Sequence, residues 1–281
     1  MERAAGTAYL ELVTELLQRQ RRADPVAGVW EAADLQWWFT RDPHPDEQDA
    51  AFWRGGDGAP VTAAVFTRWA ADRYGCDVLG VPTPAAWEFV AARAAELPGA
   101  TIEMAVAPGT GDAAARAGFT GPGETLEMCW LDAADRPDRR DPPEGYAIVP
   151  RPEQTGPHPM AKRNGPAVEA RLRQCPLYDP ALDLAVLAPD GSPAAYALFW
   201  PDQRTGVGLV EPVRVEDGHA GRGVAGTLLR AGLDGLAARG CTRLKVGHEP
   251  ANTAARRLYL GAGFRPGQRV TSRTRPGGGA G

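Results

Sequence analysis

The chain has almost no lysine: Lys162 and Lys245 are the only two among 281 residues, so its positive charge is nearly all arginine, a bias of coding rather than of function. Basic excess is also missing. With 31 Lys and Arg against 35 Asp and Glu the formal net charge is -4 and the pI is near 5.7, which leaves no electrostatic footprint for nucleic acid. No apolar run reaches the 18 residues of a membrane-spanning helix, and the N-terminus, charged at Glu2 and Arg3, has no apolar signal core. A soluble, cytoplasmic protein is expected. Cysteine is sparse: Cys76, Cys129, Cys175 and Cys241 lie far apart and match no metal-ligand spacing. Without a secretory signal they are expected to be reduced, and no metal is expected.

What the chain does have is enough apolar material for an ordinary core, 43% hydrophobic against 23% charged residues. Its length suits one large domain or two of about 100 to 150 residues. The most informative stretch runs from Leu209 to Phe264. Leu209, Val213 and Val215 alternate around Glu211 as in a partly buried strand. Gly221-Arg222-Gly223-Val224-Ala225-Gly226 then opens a segment with Leu228, Leu229, Leu233 and Leu236 at helical spacing, which stops at Gly240. Leu244 and Val246 mark a second strand. A second helix starts at Asn252, a natural N-cap, and places Asn252, Ala255 and Tyr259 along one face before Gly261, Gly263 and Phe264.

The glycines match G-x-G-x-x-G, with Glu249 further on near a strand end, so a dinucleotide fold is one reading. Against it, the polar Glu216 to Ala220 separates strand from turn, and too little chain follows Gly226 for several more parallel strands. The turn together with the pattern N-x-x-A-x-x-L-Y-x-x-x-G-F from Asn252 to Phe264 resembles the GNAT superfamily of acyl-CoA-dependent N-acyltransferases. The resemblance covers roughly Gly145 to Arg275. Glycines let backbone approach a pyrophosphate, and a helix N-terminus offers unpaired N–H groups and partial positive charge. Ala220 stands where that family usually has Arg or Gln, with Arg222 as the nearby cation.

The first half repeats the order of elements. Leu10, Val13, Leu16 and Leu17 mark a helix over 8–22. Strands are predicted at 61–69, 76–81, 101–106 and 125–131, with helices at 85–97 and 112–117. Ala113 to Phe119 is similar to the end of the family's last helix. Only Pro82-Thr83-Pro84 stands where a glycine turn would be, and no asparagine or tyrosine occupies the matching helix. The fold class expected is therefore α/β (α+β), two tandem GNAT-like domains, each a mixed, mostly antiparallel sheet flanked by helices. The first, 1–135, lacks the phosphate turn; 136–144, charged and proline-rich, is the linker; 145–275 is the catalytic domain; 276–281 is a disordered tail. Trp37 and Trp38 are core residues, or one of them lines an acceptor pocket or the interface between the halves. In the second half strands are expected at 146–149, 182–187, 194–200 and 207–215, with a helix over 167–174 and a turn at Asp190-Gly191. The irregular 151–165 would cover the acceptor, leaving His158, Lys162 and Arg163 either facing substrate or solvated.

The resemblance implies acetyl transfer from acetyl-CoA to an amine by direct attack in a ternary complex. Backbone of Val213 and Val215 would bind the pantetheine arm and Gly221 to Gly226 the pyrophosphate; Asn252 is a cap that also touches that arm or a cap alone. Tyr259 would be the general acid, and Glu211 the base, with His248 and Glu249 as second choices. His219 would cap the turn, and His44 has no partner pattern. No Cys-His or Ser-His arrangement is visible, so no acyl-enzyme is expected. The rival reading is a regulatory module that holds acyl-CoA without turnover. The acceptor, small amine, antibiotic, peptide N-terminus or lysine side chain, stays open, as does oligomeric state.

Overall fold

The computed structural model describes residues 1–26, 28–41 and 49–275, with Asp49 described in its backbone alone. His44 and the tail from Pro276 lie outside the described residues. Two compact units divide the chain. The first is Met1–Leu126 with Gln174–Pro176 and the stretch from Arg269 onward; the second is Glu127–Arg173 with Leu177–Gln268.

In the first unit β1 (Glu2–Ala4) precedes α1 (Gly6–Ala23), whose stripe of Tyr9, Leu10, Val13, Leu16 and Leu17 is buried, as helical spacing requires. α2 (Ala32–Phe39), which the sequence left unassigned, is held at its start by a capping box between Glu31 and Asp34. Trp37 and Trp38 are buried on it, and Trp38 packs edge-on between Trp30 and Trp69 at centroid distances of 4.8 and 5.4 Å. Then follow β2 (Asp49–Arg54), β3 (Pro60–Ala70), β4 (Arg73–Gly80), α3 (Pro84–Ala95), β5 (Thr101–Ala105), α4 (Gly111–Arg116) and the start of β6 (Gly121–Asp132). The Thr83 side chain accepts a hydrogen bond from Ala86 N–H and so caps α3 itself.

In the second unit the last residues of β6 are followed by β7 (Ala147–Pro150), the short helices α5 (Ala161–Asn164) and α6 (Val168–Leu172), β8 (Asp183–Leu187), β9 (Pro193–Asp202), β10 (Val207–Val215), α7 (Val224–Ala238), β11 (Arg243–His248), α8 (Thr253–Gly261) and β12 (Arg265–Arg275), whose far part belongs to the first unit. Leu228, Leu229, Leu233 and Leu236 of α7 are fully buried, each contributing about 1.5–3 kcal/mol. α7 approaches β9 so closely that a Cβ at Gly232 would meet the Phe199 ring at 2.1 Å.

The strand order repeats one plan, β1-β2-β3-β4-β5-β12 in one run and β7-β8-β9-β10-β11-β6 in the other. In each run the fourth and fifth strands are the one parallel pair, β4 with β5 and β10 with β11, and all other registered neighbours are antiparallel. Each run ends on a strand from the other half of the sequence. For that reason the units do not follow a boundary at residue 135: Glu127–Asp132 pairs with β11, and Ser272–Arg275 pairs with β5. No helix among the described residues is long and apolar enough to cross a membrane.

Candidate functional site

The site is built where β10 and β11 part. Their parallel pairing begins at Val207 with Arg243 and ends at Leu209 with Lys245. Along its other edge β10 stays with β9, but the register shifts between Val210, opposite Phe199, and Val213, opposite Ala197. Glu211 and Pro212 therefore face one residue of β9, a bulge that bends a strand and re-aims its side chains. The Glu211 carbonyl accepts a 2.7 Å hydrogen bond from Trp200 Nε1, which anchors the bulge. From there to Val215 the edge of β10 that met β11 has no strand partner among the described residues, and Val213 and Val215 are half-buried along it.

At the end of β10 the chain turns through the glycines. Gly221 and Gly223 have φ of +75° and +85°, a region that L side chains rarely adopt. Gly223 is the N-cap of α7 and no side chain caps the helix. Its first backbone bond runs from Thr227 N–H to the Gly223 carbonyl, so the N–H groups of Val224, Ala225 and Gly226 precede the hydrogen-bond ladder. A Cβ placed on Gly221, Gly223 or Gly226 would have nothing within 4 Å. Arg222 is exposed and bends back to give Nε to the Gly218 carbonyl at 3.0 Å. His219 is held by the Tyr146 hydroxyl at 3.0 Å from Nδ1. An open, donor-rich turn of this kind fits a phosphate-bearing ligand, with Gly221 to Gly226 as its cradle.

Asn252 caps α8, its Oδ1 accepting from Ala255 N–H at 3.0 Å. About two turns later Tyr259 is buried, its ring beside His248 and Phe264 at centroid distances of 5.9 and 6.0 Å. Burial pushes its phenol well above the usual tyrosine range; the Glu211 charge pushes it further, and Arg214 opposes this. Such a phenol keeps its proton at neutral pH.

Two expectations meet a different arrangement. His158 does not face a ligand from a solvated loop: it is buried, with Nε2 at 2.7 Å from Asp183 Oδ2, an oxygen that also accepts from the Tyr178 hydroxyl. Lys162 and Arg163 are exposed, in keeping with the solvated alternative, and Arg163 also reaches the Tyr196 hydroxyl at 3.1 Å. A Cys-His arrangement does exist, for Cys129 Sγ lies 3.6 Å from His248 Nε2. It joins residues far apart in sequence through the pairing of β6 with β11, which spacing along the chain does not reveal. Burial pushes the Cys129 thiol up to about 11, with the Glu127 charge adding to it. Glu249 is exposed, whereas His248 is buried and has its Nδ1 at 2.9 Å from the Glu249 carbonyl.

Residues 145–264 match the model of the acetyltransferase (GNAT) family. Among curated proteins, the mycothiol acetyltransferases of Clavibacter michiganensis and Beutenbergia cavernae are each 39% identical, over 90 and 92 residues. Those alignments cover 32% of this chain and 29 to 30% of the relatives, so the chain matches under a third of their length. Among solved structures, a tandem GNAT protein from the clavulanic acid biosynthesis pathway superposes with a TM-score of 0.67 at 18% identity, over 99% of this chain and 98% of its own. A GCN5-related N-acetyltransferase from Sphaerobacter thermophilus gives 0.58 at 19% identity, over 98% and 96%. At these identities the likeness is one of fold, a tandem GNAT architecture.

Proposed function

Given that residues 145–264 match the model of the acetyltransferase (GNAT) family, we propose that this protein moves an acetyl group from acetyl-CoA to an amine of a small-molecule acceptor, by direct attack with both substrates bound. The observation that carries this reading is the open start of α7, where N–H groups ahead of the helical ladder adjoin two left-handed glycines at the end of a strand with an unpartnered edge. The diphosphate rests on Gly221 to Gly226. The pantetheine arm follows the edge of β10 at Val213 and Val215, with Asn252 at its side. Relatives named as acetyltransferases favour acetyl over a longer acyl group.

The acceptor amine has to be neutral to attack the thioester carbonyl. Glu211, directly or through water, takes the ammonium proton. As the tetrahedral centre collapses, the carbon–sulfur bond breaks and Tyr259 gives its proton to the departing thiolate, then recovers one from solvent. The first half, whose α3 is capped by Thr83 and which has no glycine turn, keeps the fold without a coenzyme site.

The Cys129–His248 pair favours a second reading, transfer through an acyl-cysteine. Its weakness is that Cys129 is completely buried, out of reach of a thioester. Coenzyme A release measured over a panel of amines, for the native chain and Tyr259→Phe, tests the proposal. Acceptor-dependent release that falls in the variant supports it, binding of acetyl-CoA with no turnover on any amine supports a regulatory module, and a mass gain of one acetyl group on the protein without acceptor supports the acyl-cysteine.

A further inference from the structure

Glu127 of β6 and His248 of β11 stand directly opposite each other in the antiparallel ladder, and Cys129, two residues along β6, projects from the same face. The three side chains are buried, and their donor atoms all lie within 4.8 Å of one another. His248 Nε2 is 3.6 Å from Cys129 Sγ and 3.7 Å from Glu127 Oε2. Its other nitrogen, Nδ1, is 2.9 Å from the Glu249 carbonyl. A carbonyl oxygen only accepts, so Nδ1 carries a hydrogen, and Nε2, the nitrogen that would hold a metal, lies on the side of the thiol and the carboxylate.

That tautomer is the one a metal-bound imidazole requires, and a backbone carbonyl on the far nitrogen is its usual support. The spacing also fits. Bond lengths of about 2.3 Å to sulfur and about 2.0–2.1 Å to nitrogen or oxygen, at tetrahedral angles, put the donor atoms about 3.3–3.6 Å apart, close to the two separations measured from His248 Nε2. One thiolate, one imidazole and one carboxylate is a donor set for zinc-like cations rather than for magnesium or calcium. Charge closes as well: thiolate and carboxylate together balance a divalent ion, which suits three buried ligands.

We propose that Glu127 Oε2, Cys129 Sγ and His248 Nε2 bind a zinc-type divalent cation, with the fourth tetrahedral position taken by water. Binding forms three protein–metal bonds and releases the Cys129 proton to solvent. The site is independent of the acetyl-transfer reading, although His248 also touches Tyr259.

The full chain, reduced and stripped with a chelator, is titrated with Zn2+ against a chromophoric competitor and with Co2+ by absorption. One equivalent is expected, with a thiolate-to-cobalt charge-transfer band and a rise in thermal midpoint. Cys129→Ser should lose the band, and both Cys129→Ser and His248→Gln should bind at least tenfold more weakly. Absence of stoichiometric binding by the native chain overturns the proposal, and so does retention of full affinity in both variants. If the variants do not fold, zinc-edge absorption of the loaded native chain decides: one sulfur among nitrogen and oxygen neighbours supports the site, and a shell without sulfur contradicts it.

Discussion

The charge of Glu211, held in the bulge of β10, bears on the phenol of Tyr259, buried on α8. A carboxylate and a protonated phenol thus share one neighbourhood, and burial, the larger effect, keeps the second from ionising. On the proposed reading one group takes a proton and the other gives one. That division of labour is what amide formation from a thioester and an amine needs.

Tyr259→Phe keeps the ring that packs on His248 and Phe264 and removes only the hydroxyl. The thermal midpoint should stay close to that of the native chain, while kcat falls by about 10²–10⁴-fold, the usual contribution of a positioned acid. Steady-state coenzyme A release checks this, and an unchanged kcat would remove Tyr259 from the reaction.

Glu211→Gln leaves the backbone bond from Trp200 in place, because that bond goes to the carbonyl. Turnover should drop by about 10²-fold or more with the affinity for acetyl-CoA unchanged. If acceptors presented as free base at high pH restored most of the rate, the role of Glu211 in removing the ammonium proton would be supported. A loss of acetyl-CoA affinity instead would make it a binding residue.

Gly232→Ala should destabilise the second unit. The added carbon would have to enter the space of the Phe199 ring, 2.1 Å away on a buried side chain. Overpacking of this kind typically costs about 1–3 kcal/mol, visible as a lowered denaturant midpoint. An equal midpoint would mean that α7 lifts from β9 at little cost.

Asp77, fully buried in the first unit, accepts a 2.7 Å bond from Trp30 Nε1 while burial raises its pKa to about 7. An unfolded aspartate ionises near 3.9. The group therefore contributes stability that is fully present below about pH 4 and is lost as pH rises through about 7. Asp77→Asn keeps an oxygen for Trp30 and cannot ionise, so the variant should gain on the native chain by up to about 4 kcal/mol at pH 8, and by little at pH 4. Thermal midpoints at the two pH values check the sign, and a gain confined to pH 4 would contradict it.

Most elements could be read from the chain because their periodicity is local. α1 and α7 show apolar stripes at helical spacing, and β8 to β10 are short apolar runs cut by turn residues. α2 was not readable, since Ala32 to Phe39 is buried all round and so has no polar face to set a period. β12 was missed for the opposite reason: of Arg265 to Arg275 only Val270 and Ser272 are buried, and the strand exists through partners such as Met104. The candidate site divides the same way. The glycine turn, Asn252 and Tyr259 lie on two contiguous motifs, whereas Glu127, Cys129 and His248 meet only through pairing across 119 residues. Glu127 and Cys129 share a face of a predicted strand, which was the one local trace of that cluster.

Calorimetric titration of acetyl-CoA into the native chain and into Gly223→Val tests the phosphate cradle most directly. A β-branched side chain at φ +85° is strained by about 1–2 kcal/mol and places carbon in the open space above the helix start. The account predicts saturable one-site heat for the native chain and at least a tenfold weaker complex for the variant. No heat with the native chain, or equal affinity in both, would contradict it.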